Sequence, residues 1–286
     1  MCCFSQPVAL VSDTNIFARS ANGRQFLVYS MDYAAATDLA MLLPLPVPPN
    51  SPEDAVRFIS LERYPTFFGD MSSGFAPRMA IPASLGLSPQ SAPAPRLKVH
   101  DVGNFEASFV PRIEDFDRLD KRFRIPREVW YSLPEYLDYG FAVFKLKGAH
   151  TPFAGILRKL MRGTLARIYL KPRSVHPMAF EFPVRTSDLL FFPTVHVHDR
   201  KVRPLAEFDH TLYFQLDSVG AESNEIDLSR EDCSYSDAER FIDIARSEGI
   251  VEPKKRCWRL PLGGSRENKD TWVGKGGYVP KYSAAK

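Results

Sequence analysis

A chain of 286 residues with an apolar fraction of 44% can bury one large core or two modest ones, so it has no need of disulfides to hold it together. Its 37 basic and 34 acidic residues leave a formal charge of +3, too nearly balanced to mark a nucleic-acid-binding surface by itself. No apolar run approaches the roughly 20 residues of a membrane-spanning helix, and the first residues lack a basic region followed by an apolar stretch; the expected compartment is the cytoplasm. Cys2, Cys3, Cys233 and Cys257 form no dense framework and fit free thiols in a reducing environment.

Residues 15–20 and 25–34 are β-like runs around Ala21-Asn22-Gly23-Arg24, and Asn-Gly between such runs predicts a hairpin. Residues 40–49 (AMLLPLPVPP) predict a third strand that dissolves into proline, an edge or a strand end because proline cannot donate to a central ladder. Ser51, with Pro52 and Asp54 behind it, predicts a helix through Leu61. Residues 71–96 are rich in Pro, Ser, Ala and Gly and predict a long loop, and residues 98–110 return to strand.

Phe116, Leu119 and Phe123 make one apolar stripe of a charged helix over 114–123, and Pro126 opens a short helix through Leu133. Residues 140–147 read as a strand. The basic amphipathic segment 148–165 reads as a surface helix docked on the core, with an anionic membrane surface as the other reading. Strands at 166–171, 178–182, 189–198 and 208–216 follow, and Ser236 with Asp237 and Glu239 predicts a helix to Ser247 that Gly249 ends.

The sum is an α+β protein dominated by antiparallel sheet, a sandwich or a curled sheet, with helices in its connections and near its C-terminus. Residues 1–253 are expected to form a single domain and residues 254–286 a partly ordered tail.

The densest chemistry lies in residues 189–215, LLFFPTVHVHDRKVRPLAEFDHTLYFQ. On a strand, His196 and His198 point the same way about 7 Å apart. If residues 207–215 fold back antiparallel in an even-with-even register, His210 joins them on one face. Three neutral imidazoles with an open fourth position suit zinc, copper or iron, with Asp199 or Asp209 as a further ligand or acceptor. The competing reading is three ordinary half-buried strand histidines, in a structural or interaction module that holds no cofactor. Partners are not specified by the sequence.

The opening Met-Cys, followed by a hairpin, resembles the N-terminal nucleophile amidohydrolases. That resemblance implies a Cys2 thiol activated by its own α-amine, with Arg19 and Asp32 in supporting roles. Cys2 or Cys3 could instead lend a thiolate to the histidine cluster, a donor set that selects copper or zinc. The segments MCCFSQPV, LLPLPVPPNSPEDAVRFI, HPMAFEFP and FFPTVHVHD together resemble bacterial hypothetical proteins without an assigned activity, and imply no catalytic residue. Phosphate-cradling, zinc-protease and serine-hydrolase motifs are missing from the sequence.

Overall fold

The computed structural model describes residues 3–35, 37–75, 100–102, 105–147, 173–174, 176–198, 201–216 and 232–274. Its strands begin with β1 (Cys3–Phe4), β2 (Leu10–Ala21), β3 (Arg24–Ala34), β4 (Leu39–Leu45), β5 (Arg57–Ser60), β6 (His100–Val102) and β7 (Phe105–Val110). They continue with β8 (Gly140–Leu146), β9 (Arg173–Ser174), β10 (Met178–Pro183), β11 (Leu189–Phe192), β12 (Leu205–Gln215), β13 (Trp258–Glu267) and β14 (Thr271–Gly274). Two short helices, α1 (Phe67–Ser73) and α2 (Arg127–Tyr131), lie in the connections. The expectations for most of 71–96, for 148–165, for 166–171, for Asp199 and for Cys2 fall outside the described residues.

The protein is mostly sheet with few helices. One sheet runs in the order β1-β4-β8-β7-β6, a second in the order β13-β12-β2-β3-β10-β5 with β9 on β3, and β11 pairs with β14. The ladders are antiparallel apart from β12 on β2. The hairpin at 21–24 forms as expected: Asn22 (φ +52°) and Gly23 (φ +73°) both adopt the left-handed backbone that a type I′ turn requires.

Alternation along the strands feeds three apolar clusters. Leu39, Met41 and Leu43 of β4 face the same cluster as Ile16 and Ala18 of β2, Leu27 and Tyr29 of β3, and Phe180 of β10, so the two large sheets share a core. Ala40 and Leu42 face the other way, onto Phe116, Trp130 and Phe141. Phe17 and Val28 face a third cluster with Phe67, Met71, Ile242 and Ile250. Burial on both faces explains why β4 reads as an unbroken apolar run.

Several predicted elements differ. β4 ends at Leu45 as the prolines begin, the strand end expected, but it is interior, between β1 and β8, and not an edge; β1 reaches only Met41 and Leu42, so Pro44 costs no bond to it. Residues 51–61 are a turn followed by β5, because Ser51 Oγ donates back to Pro48 O at 2.6 Å and residues 57–60 find ladder partners on β10. Residues 114–123 form two 3₁₀ turns, broken at Leu119 and Asp120, that still bury Phe116, Leu119 and Phe123. The helix expected from Ser236 is reduced to one 3₁₀ turn, Ala238–Arg240. Its amides are taken by tertiary partners: Ala238 N donates to Lys255 O and Glu239 N to Pro253 O, both at 3.0 Å. Within the partly ordered tail expected at 254–286, residues 258–267 and 271–274 supply β13 and β14, more regular structure than a tail implies.

Candidate functional site

Residues 193–198 leave β11 as an extended segment. Val195 and Val197 point into the cluster around Trp130, which turns His196 and His198 to the opposite side. β12 brings His210 to the same place from elsewhere. Phe208, Leu212 and Phe214 of β12 face the core shared by the two sheets, and His210 lies in register with them. The expected parity therefore holds although the expected hairpin does not form: β12 pairs with β2 and β13, and residues 195–197 run beside β1 through a parallel Cys3–Val197 bridge.

The rings stack. His196 lies 5.3 Å from His198 (interplanar angle 18°), 5.3 Å from His210 (29°) and 4.4 Å from Phe208 (30°), centroid to centroid. Phe4 closes the far side, 5.7 Å from His198. Burial, with His198 adding to it, pushes His196 down to about 2, and burial likewise drives His210 far below the usual histidine range; both are neutral imidazoles at neutral pH. The Asp209 amide donates to His210 Nδ1 at 3.3 Å, which assigns the proton of that ring to Nε2.

Imidazole lone pairs lie in the ring plane, so rings stacked within 30° of parallel aim their nitrogens along neighbouring lines, not at one point. Among the described residues no group of three or more His, Cys, Asp or Glu is arranged to hold a metal ion.

What fixes the His196 segment is the turn between β13 and β14. Asn268 Oδ1 accepts the His196 amide at 2.7 Å, while its Nδ2 donates to His196 O at 3.0 Å and to Arg203 O at 2.9 Å, imitating a ladder partner with one side chain. Asp270 accepts the amides of Thr194 (2.8 Å) and Val195 (3.0 Å) and the Tyr136 hydroxyl (2.7 Å). Desolvation raises the Asp270 carboxyl to about 6 despite these donors. Phe208 had a sequence signal, its period-2 spacing from His210. Asn268 and Asp270, two polar residues in a short turn among several, had none.

His196 and His198 line a cavity of about 390 Å³ with Val8, Val11, Arg203 and Glu207. His196 is only 7% exposed, and its Nε2 is buried with no hydrogen-bond partner in the protein. Cys3 is fully buried with Ala40 and Val197, on the side of the segment away from the imidazoles. Arg19 donates to Ile250 O (2.6 Å) and Gly249 O (2.7 Å), binding the 249–252 segment over the second sheet.

No family model matches the chain. No curated protein matches it. Among solved structures it is similar to the crystal structure of baculovirus P35, at 13% identity and a TM-score of 0.38, over 97% of this chain and 92% of that one.

Proposed function

We propose that this is a non-catalytic binding protein whose ligand seat is the cavity floored by His196 and His198. The observation that carries this reading is His196, a residue of the cavity lining whose buried Nε2 finds no hydrogen-bond partner in the protein. A buried polar atom without a partner costs about 1–3 kcal/mol, a cost that a ligand reaching it recovers. The volume of about 390 Å³ falls within the range of small-ligand sites. Binding is favoured over catalysis because a general base works best with a pKa near the operating pH, and His196 at about 2 is far too weak a base.

A second reading keeps the transition ion, zinc, copper or iron, on His196, His198 and His210. It is favoured by the same nitrogen, since burial keeps these rings unprotonated and competent as ligands. It requires at least one ring to rotate out of the stack so that two lone pairs converge.

The test is histidine-selective ¹⁵N NMR of the full chain titrated with zinc, with phenol as a donor probe and with pyridine as an acceptor probe. A saturable shift of His196 Nε2 that is lost in a Ser265→Trp variant, where the exposed wall residue is enlarged to fill the cavity, supports the binding reading. Zinc alone acting, with stoichiometric metal retained after desalting, selects the metal reading. No probe shifting His196 would overturn both.

A further inference from the structure

The cavity is a split between two strands, and the cause of the split is visible. Asp13 sits at φ +50°, where β2 shifts register between Ser12 and Asn15, and its amide donates to the Asp209 carboxylate at 3.0 Å instead of to a backbone carbonyl. The parallel β2–β12 ladder therefore starts at Thr14 and His210. Upstream of that point, residues 10–12 of β2 remain laddered to β3, and residues 205–209 of β12 remain laddered to β13. Among the described residues, no ladder joins these two stretches to each other. Val8–Val11 and Leu205–Glu207 both line the cavity, so the opening lies beside the start of β2 and the start of β12, where each strand is laddered to its outer neighbour and not to the other. A strand edge presents backbone N–H and C=O groups spaced for another strand.

We propose that this split accepts an extended peptide segment of a partner protein, which completes the second sheet between β2 and β12. The inference rests on the binding reading above and names the partner. A compact small molecule in the cavity cannot pair with both strands, whereas an extended backbone offers donors and acceptors to both at once. The walls are about three to five residues long, which at about 3.3 Å per residue sets the length of segment that is gripped. Alternate side chains of the segment point down to the imidazole floor. That floor is built of stacked rings, His196 with His198, and the lining carries one cation, Arg203, and one anion, Glu207. The segment is therefore uncharged and sets one neutral hydrogen-bonding side chain, Ser, Thr, Asn or Gln, against His196 Nε2.

The experiment selects a phage-displayed random heptapeptide library on the immobilised full chain, with counter-selection on Ser265→Trp. A second blocked variant, Leu205→Trp at another exposed wall position, guards against a folding defect, and both variants are first checked for an unchanged thermal midpoint. Enriched peptides are synthesised with and without N-methylation at alternate residues. The expected result is uncharged peptides that shift His196 Nε2, lose at least tenfold in affinity on N-methylation in one of the two alternations, and do not bind either variant. Peptides that bind equally well when N-methylated in both alternations, or no enrichment over the blocked variants, would overturn the inference. If phenol, pyridine or zinc shifts His196 while no peptide does, the peptide inference fails and the binding reading stands. If neither class of probe acts, both fail.

Discussion

Lowering the pH from 7 to 5 should destabilise this protein through its buried histidines, and the size of the effect follows from the site. His196 and His210 stay neutral in the folded state, with folded values depressed below 6.5, whereas in the unfolded chain they titrate near 6.5. Between those values the unfolded state binds more protons, so stability is fully present above about pH 6.5 and is lost as the pH falls below it. At pH 5 each histidine favours the unfolded state by about 2 kcal/mol relative to pH 7, about 4 kcal/mol for the pair. Asp270 acts in the opposite direction. Its folded value, raised to about 6, means that the folded state binds the extra proton between about pH 4 and 6, returning roughly 1 kcal/mol at pH 5. These three groups together leave a loss of about 2–3 kcal/mol; burial also lowers His176, which adds to it, and raises Asp209, which opposes it. Urea denaturation followed by tryptophan fluorescence at the two pH values measures it. His196→Phe, which keeps a ring in the stack, should remove about 2 kcal/mol of the dependence. A midpoint that is unchanged or higher at pH 5 would refute the reasoning, because it would require the histidines to be protonated, and therefore solvated, in the folded protein.

Three further outcomes are expected. Asn268→Ala removes the side chain that holds both backbone groups of His196, and should cost about 2–4 kcal/mol and accelerate hydrogen exchange at the His196 amide before global unfolding. Phe4→Ala empties a fully buried site beside His198; a loss of about 3–5 kcal/mol in denaturant, with a displaced His198 ring resonance, is the predicted result. Gly140→Ala would set a Cβ 2.5 Å from the Phe109 ring and 3.1 Å from Val47 Cγ2, so calorimetry should register a lower thermal midpoint, corresponding to about 1–3 kcal/mol of overpacking.

The features legible in the sequence were those set by local periodicity. Asn22-Gly23 specified its hairpin, and the alternation His196-Val197-His198 put those two rings on one side, while the place of His210 depended on register. What was not legible depended on which distant segments meet. Residues 236–247 carry helix signals, yet Lys255 and Pro253 carbonyls compete successfully for their amides. Residues 207–215 offer a strand with no indication that its neighbours are β2 and β13 and not the preceding run. The histidine spacing suggested a chelate, but ring orientation decides whether lone pairs converge, and that is set here by Phe208 and Phe4 packing against the stack.

The most direct test of a binding site built on neutral imidazoles is a pH titration of the His196 and His210 side chains by ¹H–¹⁵N NMR from pH 8 to pH 5. The account predicts flat chemical shifts for both rings across that range, with His210 carrying its proton on Nε2. An inflection near pH 6.5 for His196 would contradict it, because that ring would then be solvated, able to accept a proton and suited to acid–base catalysis.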